Sequence, residues 1–406
     1  MSTAVRPAAD PDAILGVSPR WVTEPGSLEE AAGSLRSVAG DKLAVSFVGG
    51  GTELELGAPP SRLDVLFRTR RLSRIVEYAP SDQIVAVEAG ITLAELQREL
   101  AAHRQRLALD PPLGDRATVG GIVASNAFGP LRTRFGASRD LVIGMTLVRA
   151  DGVIARGGGK VVKNVAGFDL PRLLCGSLGT LGLIAEIIFR LHPLPETAAS
   201  VVFDGLSAHE LRAQVRSALD ARLEPAAVAG FSAGNRYRLA FRFEGFAPGV
   251  RDQVERLLRI PGSPGQHLDQ ASAADLWARH DELRRGGDVR LKVSFAPASL
   301  HAVDEALRPL AGALERPALI VYPTLGCAFV SGSLVDADAA SSSIESIRAM
   351  VAPVHGSAVL LAAPPVLRAR LDVWGPAPSA FPVMRRLKMQ LDPEDRLAPG
   401  RFVGGL

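Results

Sequence analysis

The residues best suited to chemistry in this chain are bare ones. Glycines cluster in DPPLGDRATVGGIVASNAFG, starting at Asp110, in ARGGGK at 155–160 and in CGSLGTLGLIAEI at 175–187, and Gly49-Gly50-Gly51-Thr52 stands upstream of them. A residue without Cβ lets main-chain N–H groups come close to a ligand and adopt φ > 0, so such clusters suit a buried contact with an extended, partly anionic molecule. Thr118-Val119-Gly120-Gly121 is the expected centre of that contact. The classical acid–base and metal residues give less. His209, His267, His280, His301 and His355 are widely spaced, with no metal-ligand spacing among them. Cys175 and Cys327 are the only cysteines, which excludes a disulfide framework and falls short of the roughly four thiolates of an iron–sulfur cluster.

Two familiar phosphate loops are excluded by spacing. A dinucleotide-binding turn needs G-x-G-x-x-G running into a helix, whereas Leu54 occupies the third glycine position here and Glu53-Leu54-Glu55-Leu56-Gly57 alternates with period two. That alternation predicts a strand or an extended loop. The Walker pattern fails because Val161 follows Gly159-Lys160 where Ser or Thr would hold magnesium, and Ile154 stands at the upstream glycine position.

The glycine loops must be carried by regular elements, and those can be read. Ser27 and Glu30 predict a capped helix to Val38; Leu43 to Val48 reads as the strand that delivers the first loop. Ile75–Tyr78 and Ile84–Glu88 flank turn residues as a hairpin, and Asp151-Gly152 marks a second hairpin between Asp140–Ala150 and Val153–Arg156. Thr92 with Glu95 starts a helix whose Leu93, Leu96 and Leu100 share a face; Leu170–Cys175 reads as a short helix and Leu183–Leu191 as a strand. Beyond Pro195 strands at Ser200–Phe203, Ala227–Phe231, Tyr237–Phe243, Val289–Phe295, Leu319–Pro323 and Ala358–Leu361 alternate with helices at Ala208–Leu219, Val250–Leu258, Ala302–Leu314 and Ser341–Met350. This predicts an α+β architecture, its second part an antiparallel sheet with helices on one face.

At 406 residues, 47% of them apolar, the chain has material for two cores. A net charge of +3 gives no reason to expect nucleic acid as a partner. The run Arg68, Arg70, Arg71, Arg74 is a solvated face or a docking patch. The weakly charged stretch 351–367 is broken by prolines and His355, short of the roughly twenty residues a bilayer demands, so no direct membrane insertion is expected. The start lacks the basic-then-apolar pattern of a signal peptide, and cytoplasm is the default location.

Taken together, VGGGT at 48–52, DPPLGDRATVGG at 110–121, GASRDLVIG at 136–144, KVVKNVAGFDL at 160–170, GSLGTLGLIAEI at 176–187 and LKMQLDPEDRLAPGR at 387–401 resemble the flavoproteins of the vanillyl-alcohol oxidase and p-cresol methylhydroxylase superfamily. Within it the best resemblance is to the FAD-binding subunits of glycolate oxidases. The resemblance implies an α+β fold: a two-subdomain FAD-binding domain of the p-cresol methylhydroxylase type at 21–195, after a loose leader at 1–20. It further implies an α+β cap domain at 196–361, an antiparallel sheet with helices, and a tail at 362–406 that returns to the FAD domain. It assigns Gly49, Gly50, Gly51, Thr52 and Glu53 with Thr118, Val119, Gly120 and Gly121 to the pyrophosphate loops. Pro112, Ser125, Asn126, Arg139 and Asp140 would line the cofactor, and Gly176, Thr180, Gly182 and Ile184 would meet its ribityl and adenine portions.

Many relatives tether flavin through a histidine in the first glycine loop; Thr52-Glu53 stands there, so FAD is expected to be noncovalent, and no metal site is expected. The histidine-rich metal motif of the catalytic D-2-hydroxy-acid dehydrogenases is missing, and Phe168 replaces a tyrosine common in the family. Oxidation of a 2-hydroxy acid needs a base for the hydroxyl proton and a cation for the carboxylate; Lys163, Arg238 and Arg290 are the candidates the chain offers. The resemblance thus leaves open a subunit of a glycolate oxidase-like complex, partnered by a catalytic flavoprotein subunit and an iron–sulfur subunit, a stand-alone FAD-dependent D-2-hydroxy-acid dehydrogenase, and a cofactor-free scaffold. The glycines argue against the scaffold, since they cost backbone entropy and have no packing use.

Overall fold

The computed structural model describes residues 5–160 and 169–406, with the side chain of residue 233 excepted. Lys163, Asn164 and Phe168 therefore lie outside the described residues. The chain divides into two compact units: the first is Met1–Phe128, Gly136–Pro193 and Pro376–Leu406, the second Gly129–Phe135 and Leu194–Gly375.

The first unit is built on two sheets. Strands β1 (Val5–Pro7), β2 (Trp21–Thr23), β3 (Val45–Val48) and β4 (Val65–Arg68) lie in the order β1-β2-β4-β3, with β4 parallel to both β2 and β3. Helix Leu28–Gly40 joins β2 to β3; the Ser27 hydroxyl accepts from the Glu30 amide, and the Glu30 carboxylate reaches the Gly26 amide, one residue upstream of the box expected. Its buried stripe, Leu28, Ala31, Ala32 and Leu35, packs with Val45, Phe67 and Leu183. The second sheet is antiparallel throughout. Its strands β5 (Ile75–Ala79), β6 (Ile84–Glu88), β8 (Val142–Val148), β9 (Ile154–Gly158) and β10 (Leu183–Arg190) run in the order β5-β6-β10-β8-β9, while β7 (Gln105–Arg106) pairs with β11 (His192–Pro193). Both hairpins read from the sequence are present, and Gly152 takes φ +78° at the second turn. The Thr92–Glu95 capping box closes reciprocally, and Leu93, Leu96 and Leu100 sink into one core with Val87, Ile122 and Ile187.

Two departures in this unit matter for the site. Residues 53–57 form turns, not a strand. Val119–Ser125, whose two glycines disfavour a helix by about 1 kcal/mol each, is a short helix N-capped by Thr118. At the end of the chain, helix Phe381–Leu391 leads into a segment that lies along β3: Val45 donates to the Arg396 carbonyl and the Ala398 amide donates back to Val45, both at 2.7 Å.

The second unit holds one antiparallel sheet, β12 (Thr197–Leu206), β13 (Ala227–Ala233), β14 (Arg236–Gly245), β15 (Gly265–His267), β16 (Val289–Ser294), β17 (Leu314–Tyr322), β18 (Cys327–Leu334) and β19 (Ser357–Ala362), ordered β15-β12-β14-β13-β17-β18-β16-β19. Helices Ala208–Asp220, Ala247–Leu258, Leu300–Gly312 and Ala337–Val351 fall within a few residues of expectation, whereas β15, β18 and helix Gln270–Arg285 are additions. Helices cover both faces, which corrects the one-faced arrangement expected. Val321 faces the Leu211 side of the sheet, because a Cβ added at its pair partner Gly230 would meet both Val321 and Leu211. Its neighbour Tyr322 points the other way, and there the Tyr322 hydroxyl lies 2.7 Å from His280 Nε2 on helix Gln270–Arg285. The Gly129–Phe135 segment is stitched into this unit by the Thr133 and Thr324 hydroxyls, 2.9 Å apart, and by Arg134 donating to the Glu244 carbonyl at 3.0 Å. Among the described residues no helix is long and apolar enough to cross a membrane.

Candidate functional site

Within the first unit a cleft of about 110 Å³ opens at the end of β3. Its walls are the loop 49–54, Ser46 and Phe47 of β3, the face of helix Val119–Ser125 that bears Gly120, Gly121, Ala124 and Ser125, and Leu178, Gly179 and Gly182–Ile184 leading into β10. Ala398 and Arg401 of the tail complete it. The glycines do two different jobs. A Cβ on Gly49 would sit 2.1 Å from Thr118 Oγ1, one on Gly50 1.9 Å from the Arg116 carbonyl oxygen, and one on Gly120 2.6 Å from the Ala89 Cβ. These positions are bare because segments of the unit meet there, so the supposition that the glycines lack a packing use is overturned for them. Gly121 differs. It is exposed, and a Cβ there meets within 4 Å only Thr118 Oγ1, at 3.1 Å, and otherwise enters open space. Gly51, at φ +71°, makes the turn that brings Thr52 to the wall.

Of the residues expected at a cofactor, Gly49, Gly50, Gly51, Thr52, Glu53, Gly120, Gly121, Ser125, Gly182 and Ile184 line this cleft. The others stand elsewhere. Val119 is fully buried in the core, and Thr118 is buried with its hydroxyl accepting from the Gly121 amide at 3.2 Å, so that oxygen serves as a helix cap. Asn126 closes the same helix at φ +52°. Pro112 is half-buried and is the first residue of the turn at 112–116. Arg139 and Asp140 are exposed, 3.8 Å apart, and Asp140 caps the Ala137 amide at 2.8 Å. Gly176 and Thr180 line a separate cavity of about 220 Å³ with Cys175, Leu181, Leu387, Lys388 and Phe402. Burial pushes the Cys175 thiol up to about 11, and its Sγ donates to the Pro171 carbonyl.

Several cleft residues carried no signal that local reasoning could use. Ser46 and Phe47 sit inside a strand, and Ala398 and Arg401 come from the far end of the chain; Leu178 and Gly179, by contrast, belong to the third glycine cluster, beside the expected Thr180. Arg401 is a cation of the lining and Glu53 an acid, and the buried Ser46 hydroxyl finds no hydrogen-bond partner among the described residues. Such a wall of backbone, hydroxyls and one guanidinium suits an elongated, partly anionic cofactor.

The candidates for substrate chemistry separate clearly. Arg238 is half-exposed and its guanidinium grips Asp204 with two bonds, Nε–Oδ1 at 2.6 Å and Nη2–Oδ2 at 3.1 Å, so the fork that would clasp a carboxylate is already engaged. Arg290 is half-buried on β16, opposite Ser331, on the sheet face that also carries Lys292 and Ser294. His280 is a core histidine: burial pulls its basicity down, and it packs among Phe231, Trp277 and Tyr322.

Residues 19–158, which include the first two glycine-bearing walls of the cleft, match the family model described as FAD binding domain. This stretch is an FAD-binding domain. The domain's fold is the p-cresol methylhydroxylase type expected from the motifs, and solved structures of alkyldihydroxyacetonephosphate synthase share the architecture, with a TM-score of 0.73 at 17% identity over 95% of this chain and 78% of that one. Among curated proteins, a D-lactate dehydrogenase of Archaeoglobus fulgidus is 36% identical over 173 residues, 42% of this chain and 38% of the relative. Glycolate oxidase subunit GlcE of Escherichia coli is 36% identical over 162 residues, 40% of this chain and 46% of the relative. Glycolate oxidase subunit GlcD of Bacillus subtilis is 32% identical over 184 residues, 45% and 39% respectively. The match thus spans less than half the length of each of these relatives, in keeping with an FAD-binding domain joined to more divergent sequence.

Proposed function

We propose that this chain is an FAD-dependent oxidoreductase that takes part in the oxidation of a small 2-hydroxy acid, glycolate or D-lactate, as a subunit of a glycolate oxidase-like complex. The carrying observation is the glycine-walled cleft in a unit whose sequence matches an FAD-binding domain. The names of the similar proteins, two of them glycolate oxidase subunits and one a D-lactate dehydrogenase, support the substrate class and the subunit role. Bound FAD supplies the hydride acceptor for the carbinol carbon of the acid. The chain's own part is to hold it: Gly121 leaves room, the Ser46 and Thr52 hydroxyls donate hydrogen bonds, and the Arg401 guanidinium sets a positive charge at the wall.

In this reading the first unit is the cofactor domain. Its FAD takes electrons from a catalytic flavoprotein subunit or passes them to an iron–sulfur subunit, in the cytoplasm. The stand-alone D-2-hydroxy-acid dehydrogenase is the second reading, favoured by the similarity to the Archaeoglobus fulgidus enzyme. The test begins with the purified protein: yellow colour released by acid precipitation is expected, and a colourless protein that cannot be reconstituted with FAD overturns both readings. Anaerobic mixing with glycolate or D-lactate then separates them. Bleaching of the isolated, loaded chain establishes the stand-alone enzyme; an unbleached chain that is reduced only with its partners supports the subunit.

A further inference from the structure

Lys388 occupies a costly position. It lies on helix Phe381–Leu391 at 4% exposure, where an ammonium without partners would not survive. Its Nζ donates to Asp392 Oδ2 at 2.7 Å, to the Leu397 carbonyl at 2.8 Å and to the Thr180 carbonyl at 3.1 Å. Asp395 Oδ1 adds a second carboxylate at 3.2 Å. The same Asp392 oxygen accepts from the amides of Arg396 and Leu397, at 2.8 and 2.7 Å, which closes the turn after the helix. Lysine thus joins the tail to the third glycine cluster, two residues before Gly182 enters the cleft wall.

Arg401 does the equivalent at the other wall. Its buried guanidinium donates to the carbonyls of Leu54 at 3.0 Å, Leu56 at 2.7 Å and Ala58 at 3.1 Å, the turns that follow the first glycine cluster. Between the two cations the tail is zipped to β3, the strand that delivers Gly49. Every one of these attachments to the cleft ends on a main-chain group. They fix where the loops run, whatever side chains those loops carry.

We propose that residues 388–401 are an integral part of the cofactor site, with Lys388 and Arg401 as positioning residues that hold the third and first glycine loops, so that FAD binding and docking of the tail are one coupled equilibrium. This rests on the cleft being the FAD site. Coupling is reciprocal: a docked tail tightens FAD binding, and bound FAD protects the tail by the same factor.

The test uses the full chain stripped of flavin and titrated with FAD, followed by flavin fluorescence, for the wild type and for Arg401→Met, Arg401→Lys and Lys388→Met. Arg401→Met is expected to weaken FAD binding by about tenfold or more, within the usual range of coupling. Arg401→Lys, which keeps the charge but not the fork, falls between. Lys388→Met leaves Asp392 buried without its cation; should it fail to fold, the Arg401 pair still decides. In parallel, trypsin cleavage at the exposed Arg385 and Arg386 is timed with and without FAD. Saturating FAD is expected to slow cleavage in the wild type and to do so much less in Arg401→Met. Unchanged FAD affinity in a folded Arg401→Met, or cleavage indifferent to FAD in the wild type, overturns the proposal while leaving the FAD reading intact. A wild type that binds no FAD overturns both.

Discussion

Gly50 and Gly121 both wall the cleft, and exchanging each for alanine separates the two purposes the glycines serve. A Cβ on Gly50 would sit 1.9 Å from the Arg116 carbonyl oxygen and 2.8 Å from its carbon. Since carbon and oxygen rarely approach within about 3 Å, one loop must retreat by roughly an ångström, an overpacking cost of about 1–3 kcal/mol. For a unit of roughly 200 residues that lowers Tm by about 2–12 °C. At Gly121 the only neighbour is Thr118 Oγ1 at 3.1 Å, and the site is in the first turn of a helix, where alanine gains up to about 1 kcal/mol over glycine. The apoprotein with Gly121→Ala should therefore melt at the wild-type temperature or up to about 4 °C above it. FAD affinity should move the opposite way, since the methyl enters open space at the cleft, and Gly121→Val should abolish flavin retention while the second unit stays folded. Differential scanning calorimetry of stripped protein and flavin titration give the two numbers independently. Full flavin occupancy in Gly121→Val would refute the placement of the cofactor along this wall, and an unchanged Tm in Gly50→Ala would refute the packing account of that glycine.

Other expectations are simpler. Arg238→Ala breaks a half-exposed pair with Asp204 and should cost less than about 1 kcal/mol of stability, with no change in KM for the 2-hydroxy acid; a large rise in KM would return Arg238 to the substrate site. The Cys175 thiol, pushed up to about 11 by burial, should be alkylated at a rate that keeps climbing between pH 7 and 10, about tenfold per unit, because only the thiolate reacts; a plateau near pH 8.5 contradicts this. Asp12 is clasped by Arg6 and Arg68, each at 2.7 Å, which holds its carboxyl well below the usual range. Its stabilisation is complete above about pH 4 and lost as the pH falls towards its folded value. The stability gap between wild type and Asp12→Asn in urea unfolding should thus shrink from pH 5 to pH 2, and a constant gap argues against the clasp.

Legibility followed locality. Ser207 with Glu210 and Thr92 with Glu95 announce helices because the cap is a bond between residues three apart, and the Asp151-Gly152 turn is equally self-contained. The order of the glycine clusters, read with the tail motif, led to the flavoprotein fold. What escaped was nonlocal or countered by propensity. The helix Val119–Ser125 contains two glycines, and its core contacts rather than its composition make it form. Helix Gln270–Arg285 is charged on most sides and buries only His280 fully, so its periodicity is faint. The cleft set was read in part: loop residues at 49–53 were visible as bare backbone, whereas Arg401 looks like any arginine until the carbonyls of Leu54, Leu56 and Ala58 gather around it.

The way the tail lies along β3 bears on how this chain is made. In the order β1-β2-β4-β3, that strand is an edge, and the groups of Val45 that face outward are met only by Arg396 and Ala398, some 350 residues later. The second unit's long segment, Leu194–Gly375, leaves the ribosome in between. During vectorial synthesis the first sheet must therefore wait with an unpaired apolar edge while the inserted unit folds, an open template for pairing with other chains. Chains cut short before residue 396 keep that edge indefinitely, and aggregation of such fragments is the expected result of closing the first sheet with residues 396–398.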